Sequence, residues 1–153
     1  MKRAWLAAVM LLWSHPALAE PRTACLFAPA ELSVTLGHTP KAGVASTNAQ
    51  GQPGCQYAME GTTGIYFWVR IDPKCDQKRF ESQARTRQSI SGKTNVTLKG
   101  AGDAAYYSAG GTAAVRAGST CVELSGLRAG AKRVVTPSEA EKLLALAVTR
   151  VGR

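Results

Sequence analysis

The stretch from Cys55 to Ile71, CQYAMEGTTGIYFWVRI, constrains the fold of this 153-residue chain more than any other. Apolar and polar residues alternate from Cys55 to Glu60, and the alternation resumes from Ile65 to Ile71. The intervening Gly61-Thr62-Thr63-Gly64 has the composition of a turn. The stretch therefore predicts a β-hairpin at the centre of a sheet.

The second strand of this hairpin has two chemically different faces. Alternation places Tyr66, Trp68 and Arg70 on one face and apolar side chains on the other, namely Ile65, Phe67, Val69 and Ile71. Aromatic and arginine side chains that cluster together are typical of binding hot spots, so Tyr66, Trp68 and Arg70 are the candidate binding residues. In a competing interpretation, a surface loop predicted from His38 to Gly54 folds over Trp68 and completes the core.

The N-terminus has the pattern of a cleaved signal peptide over residues 1–19. Lys2 and Arg3 give a charged start, residues 4–13 are apolar, and Ala17-Leu18-Ala19 has the small-x-small form that is cut before Glu20. The apolar run is too short to span a membrane. We therefore expect a periplasmic or secreted protein in which residues 20–153 form one domain, with no transmembrane segment after cleavage.

The chain is strongly basic, and this bears on its partners. Its formal net charge of +9 falls by two when the signal peptide is removed. A basic exported protein is attracted to anionic envelope polymers and lipid headgroups, whereas nucleic acid is a poor partner for that compartment. One basic run is either a docking face for an anionic polymer or an ordinary solvated helix face: Lys74, Lys78, Arg79, Arg85, Arg87 and Lys93.

Four cysteines in an exported chain predict two disulfides. Three pairings are possible. We favour Cys25 with Cys55 and Cys75 with Cys121, because the first joins an early helix to the first strand and the second ties a helix start to a late strand. A metal site is the alternative, but the sequence has no C-x-x-C pair.

The remaining patterns predict an α+β fold. Helices are expected over 26–36, over 77–88 with Asp76 as the N-cap, and after the capping box Thr136-Pro137-Ser138-Glu139. Strands are expected over 104–108, 112–117 and 120–125. The predicted order is α-β-β-α-β-β-β-α, an antiparallel sheet of about five strands with the helices packed on one face. The apolar face of the last helix comprises Ala140, Leu143, Leu144, Ala147 and Val151.

Several short motifs are similar to those of a family of small exported envelope domains. They are the run CLFAPAEL over 25–32, Leu36-Gly37, Cys55-x-Tyr57, and GAGDAAY over 100–106. The chain resembles actinobacterial lipoprotein domains of unknown function and the PknH-type extracellular sensor domain. The resemblance implies a disulfide-bearing α+β domain without known catalysis. The chain lacks a lipobox and a kinase segment, so anchoring and signalling are not implied.

The sequence offers little that is typical of an active site. After removal of the signal peptide, His38 is the one histidine, and it lies in the predicted loop, so a Ser-His-Asp site is unfavourable. No spacing singles out a pair of carboxylates for glycoside hydrolysis. The glycines around Asp103 lack the Lys-Ser/Thr of a phosphate loop and predict a turn, whose amides Asp103 would bind.

These observations rank three classes of function. The first is a non-catalytic exported domain, without metal or cofactor, that binds a partner protein or an envelope component. The second is a small-ligand sensor, and the third and least favoured is a hydrolase. Capture of a partner from envelope fractions favours the first class, and a ligand-induced rise in melting temperature favours the second.

Overall fold

The computed structural model describes residues 24–61 and 63–151, so the predicted signal peptide lies outside the described residues. Three helices and seven strands are present in this part of the chain. In chain order they are α1 Pro29–Leu36, β1 Val44–Thr47, β2 Pro53–Ala58, β3 Tyr66–Asp72, α2 Gln77–Ser91, β4 Val96–Leu98, β5 Ala104–Ser108, β6 Thr112–Ala117, β7 Thr120–Ser125 and α3 Pro137–Val151. The α+β class is confirmed.

All seven strands belong to one antiparallel sheet with the order β1-β2-β3-β7-β6-β5-β4. The prediction of about five strands was wrong, because both edge strands were missed. Strand β1 lies in the segment predicted as a loop, and all four of its residues are exposed, so it lacks the burial pattern of a strand. Strand β4 has only three residues, too few for a periodicity to be recognised.

The helices cover both faces of the sheet, so the prediction that they pack on one face was also wrong. Helices α1 and α3 bury Leu32 and Leu144 against the face that contains Phe67. Helix α2 packs on the opposite face, where Phe80 meets Tyr106 in a second, smaller cluster that includes Ala114. Because strands β5 and β6 present apolar side chains on both faces, each face requires a covering helix.

Local signals at the helix ends agree with the structure. Asp76 caps α2 by accepting a hydrogen bond from the Arg79 amide at 2.7 Å. At α3, the Thr136 hydroxyl accepts from the Glu139 amide, and the Glu139 carboxylate accepts from the Thr136 amide. Helix α1 ends at Gly37, whose φ of 75° lies in the left-handed region that favours glycine.

Helix α1 begins three residues later than predicted, because its preceding backbone is bound elsewhere. The buried Tyr57 hydroxyl accepts from the Phe27 amide at 3.0 Å and donates to the Phe27 carbonyl at 2.9 Å. Arg150 donates to the Leu26 carbonyl. These contacts hold the segment before Pro29 in a non-helical path over the core.

Two disulfides join the sheet to its flanking elements. Cys25 is bonded to Cys55 of β2, and Cys75, just before α2, is bonded to Cys121 of β7. These are the two pairs favoured from the sequence. Because Cys55 and Cys121 lie on opposite faces of the sheet, each face has its own covalent tie.

Within the described residues, none of the helices combines the length and the apolar character needed to cross a bilayer.

Candidate functional site

Tyr66, Trp68 and Arg70 lie on one face of β3, as the alternation predicts. The rings of Tyr66 and Trp68 meet edge to face with centroids 5.7 Å apart. Trp68 is 39% exposed, although it is flanked in sequence by Phe67 and Val69, which are buried on the other face. A large aromatic side chain that stays exposed beside a full core is unusual enough to mark a candidate contact surface. We call Tyr66, Trp68 and Arg70 the aromatic–arginine face.

This half of the sheet is open because α2 covers the other half. Helix α2 contacts β5 and β6, and its buried side chain Phe80 packs on Tyr106. The segment that was predicted to fold over Trp68 forms β1 instead, which pairs with β2 and extends the sheet sideways. The covering interpretation was therefore wrong, since the segment lies beside the aromatic–arginine face and not over it.

A carboxylate lies at the centre of this open surface. Glu123 of β7 is directly opposite Arg70 in the sheet register. Its closest cation is Arg87 of α2, at 2.8 Å, whereas the Arg70 guanidinium is 3.9 Å away, too far for a hydrogen bond. The Ser125 hydroxyl donates to the same carboxylate at 3.3 Å. Glu123 is thus satisfied mainly by Arg87, and the half-exposed Arg70 keeps donors available for a ligand.

Two neighbouring depressions of about 420 and 340 Å³ flank Arg70 and share Gln52, Arg70 and Glu123 in their walls. We call the pair the groove. One end reaches the β1–β2 turn, where the Asn48 amide donates to Gln52 at 2.8 Å. The other end reaches the ion pair of Arg79 with the buried Asp72, also at 2.8 Å.

The chemistry of the groove is mildly cationic and rich in hydrogen-bonding groups. Three arginines, 70, 79 and 87, face two carboxylates, Asp72 and Glu123, which leaves one excess positive charge. Side-chain amides of Gln50, Gln52 and Gln83 contribute further donors and acceptors. With Trp68 at one end, these groups suit an extended polar or anionic ligand that also offers a flat surface to the indole ring.

Sequence reasoning found one strand of the groove and missed the rest. Glu123 and Arg87 come from elements 36 residues apart, and Gln52 comes from a third. For the basic run around α2, the sequence left two interpretations open, a docking face and a solvated helix face. The structure gives different answers for different residues of the run. Arg79 and Arg87 are paired with carboxylates in the groove, while Lys78 and Arg85 are exposed.

A larger depression, of about 800 Å³, lies between α2 and strands β4 and β5. Three of its lining residues, Asn95, Tyr106 and Arg116, each have a buried side-chain atom without a hydrogen-bond partner in the described chain, namely Oδ1, the hydroxyl and Nε respectively. Buried polar atoms of this kind usually have a partner. We rank this depression second, because the remaining polar groups of those side chains are bound within the protein: Asn95 donates to the Ala84 carbonyl and Arg116 contacts Asp103.

Tyr106 lies beneath α2 and lines the larger depression. Burial raises the pKa of its hydroxyl, and the nearby Glu123 carboxylate adds to the increase while Arg87 opposes it. The hydroxyl is buried and has no hydrogen-bond partner among the described residues. The hydroxyl therefore stays protonated at any physiological pH, and Tyr106 does not line the groove.

The residues considered for catalysis have structural contacts. The His38 Nε2 atom is 2.8 Å from the Gly130 carbonyl. Asp103 was predicted to bind the amides of its own turn. In the structure it accepts instead from the Gly118 amide in the β6–β7 hairpin, at 2.8 Å. Across residues 24–61 and 63–151, no three His, Cys, Asp or Glu side chains are grouped so that they could hold a metal ion.

Compared with known proteins, this chain has no significant match among family models, curated proteins or solved structures. The resemblance to small envelope domains therefore stays a prediction from short motifs.

Proposed function

We propose that this protein is a non-catalytic exported domain that binds a partner protein or an envelope component through the groove beside Tyr66, Trp68 and Arg70. The observation that carries the proposal is the half-open sheet face, on which Trp68 is exposed directly beside a loosely paired arginine. Binding hot spots are enriched in these two residue types.

The surrounding structure favours binding because the groove is rigid. Trp68 and Arg70 lie on β3, which is hydrogen-bonded on both sides, to β2 and to β7. Arg87 and Arg79 reach the groove from α2, whose start is tied to β7 by the disulfide of Cys75 with Cys121. A preorganised surface loses little conformational freedom on association.

The proposed location rests on three features of the chain. The N-terminal pattern is that of a signal peptide. Two disulfides fit an oxidising compartment. The motifs that resemble exported envelope domains agree with both, and the positive net charge suits an anionic envelope component as the partner.

Affinity capture with single variants tests this function. The immobilised protein is incubated with envelope fractions, and Arg70→Ala is compared with Arg85→Ala, an exposed arginine of α2 outside the groove. We expect Arg70→Ala to reduce the captured material at least tenfold, the usual effect of a hot-spot residue, and Arg85→Ala to leave it unchanged. Equal capture by both variants would contradict the assignment of the groove.

A second candidate function, a small-ligand sensor, is supported by the depression between α2 and β4–β5. Its size and its three unpartnered buried polar atoms suit a small molecule with both a donor and an acceptor. A ligand present at a hundred times its Kd would stabilise the fold by about 2.7 kcal/mol and raise Tm. A compound that does this in the wild type but not in Asn95→Leu would favour the sensor.

A further inference from the structure

A second surface, formed by α1 and the segment between β7 and α3, combines exposed aliphatic side chains with cations. Val34 on α1 is 77% exposed, and Val134, in the segment between β7 and α3, is 84% exposed. A single exposed valine is ordinary on a protein surface. The backbones of these two residues are linked, because the Arg133 guanidinium donates to the Val34 carbonyl at 2.8 Å and to the Val134 carbonyl at 3.4 Å.

The backbone fixes this arrangement. The Lys132 amide donates to the Leu36 carbonyl at the end of α1, at 2.9 Å. Arg133 is also bound to Glu139 of α3 at 2.5 Å. Val34 therefore lies on a helix and Val134 on a segment that is joined to two helices, so their exposure does not result from a loose loop.

Cations lie in the same segment as Val134. Between Glu123 and Glu139 the chain has no acidic residue but contains Arg128, Lys132 and Arg133. Glu139 neutralises Arg133. Arg128, which donates to the Ala109 carbonyl, and Lys132 have no carboxylate partner among the described residues, so they supply two positive charges. Both line a shallow depression of about 520 Å³ that Val134 also borders. We call Val34, Val134, Arg128 and Lys132 the valine–basic surface.

We propose that the valine–basic surface docks the protein on an anionic lipid bilayer. The cations favour an anionic partner, and each one near such a bilayer contributes about 1 kcal/mol of attraction. The valines favour a bilayer over a soluble polyanion. Burial of aliphatic side chains at the acyl boundary of a bilayer is favourable, whereas a hydrated polymer has no apolar region in which they could be buried. Because this surface lies on α1 and the segment before α3, docking leaves the groove on the other sheet face open.

Co-sedimentation with vesicles tests the proposal. The exported protein is purified, and its N-terminus is determined by mass because an uncleaved apolar leader would itself bind lipid. It is then mixed with vesicles of phosphatidylcholine alone, or with vesicles of phosphatidylcholine and phosphatidylglycerol in equal parts. We expect binding to the anionic vesicles only. The double variant Arg128→Gln/Lys132→Gln should bind more weakly by roughly fivefold for each cation removed, the equivalent of about 1 kcal/mol each. Val34→Ser/Val134→Ser should also lose binding.

Matched controls lie on α2. Lys78→Gln/Arg85→Gln removes the same charge, and Ile90→Ser changes an aliphatic side chain that is 73% exposed. Both controls should bind as the wild type does, and all variants should keep the wild-type Tm because every changed side chain is exposed or partly exposed.

Three results would overturn the proposal: equal binding to neutral vesicles, an equal loss in the α2 charge control, or unchanged binding by the valine variant. The last would show that the attraction is purely electrostatic and does not distinguish a bilayer from a soluble polyanion. The groove assignment survives any of them, since it is measured by partner capture.

Discussion

Replacing Phe80 by alanine should detach α2 from the sheet. Phe80 is the one buried side chain of this 15-residue helix, and the centroid of its ring lies 5.5 Å from that of Tyr106. Truncation of a buried phenylalanine costs about 3 to 5 kcal/mol. Since the contact is a small cluster at the edge of the fold, we expect a value near the lower limit, about 3 kcal/mol.

The structure also predicts where the loss occurs. The disulfide of Cys75 with Cys121 keeps the start of α2 on β7, so the helix can open while the main core stays folded. A loss of 3 kcal/mol in the local contact increases the open fraction by roughly two orders of magnitude. Amide hydrogen exchange over 77–91 should accelerate by that factor, with a much smaller change in α3.

Urea unfolding and hydrogen exchange together measure both effects. The control is Ile90→Ala on the same helix, whose exposed side chain should change the unfolding free energy by less than about 0.5 kcal/mol. If Phe80→Ala costs less than about 1 kcal/mol, or if exchange in α2 does not accelerate more than in α3, the helix is not held by this contact and the reasoning fails.

Three further predictions concern the core, the disulfides and acid stability. Leu144→Ala, at a fully buried position of α3, should cost about 2 to 4 kcal/mol in urea unfolding, and a cost below about 0.5 kcal/mol would mean that α3 is not docked. The denatured, unreduced protein should show no reactive thiol; two or more would contradict the disulfide framework. The hydrogen bonds from Arg150 lower the pKa of Glu31 from 4.5 to about 2, so its stabilisation is complete above pH 4.5 and lost as pH falls toward 2. Glu31→Gln should flatten this pH dependence; an unchanged acid profile would refute it.

Those parts of the fold that depend on local chemistry were predictable from the sequence. The hairpin follows from alternation and a glycine-containing turn. The caps at Asp76 and Thr136 follow from side chains that bind the backbone amide three residues further along the chain. Gly37 ends α1 because only glycine adopts its φ readily. Each of these signals acts within a few residues of the chain.

The errors concern features that depend on distant contacts. Helix α2 has a thin apolar stripe, so nothing in its own sequence shows that Phe80 will meet Tyr106 on the far side of the sheet. Strand β1 has no burial pattern, since an exposed edge strand is specified by backbone pairing with β2 alone.

The candidate site shows the same limit. Trp68 and Arg70 are two residues apart and were identified from the pattern of one strand. Glu123 and Arg87 enter the groove only through the sheet order and the position of α2. The half-open face results from α2 covering β5 and β6 while it reaches β3 only at its last residue, Asp72. This tertiary arrangement cannot be read from the periodicity of any one segment.

The central claim is that Trp68 serves binding and not the core, and one paired measurement on Trp68→Ala tests it directly. The variant is compared with the wild type for its Tm and for capture of envelope material. Because Trp68 is partly exposed and lies outside both apolar clusters, we predict a loss of about 1 kcal/mol or less in stability together with a loss of most binding. A loss of 3 kcal/mol or more, with capture unchanged in the folded fraction, would show that Trp68 belongs to the core and would contradict the account.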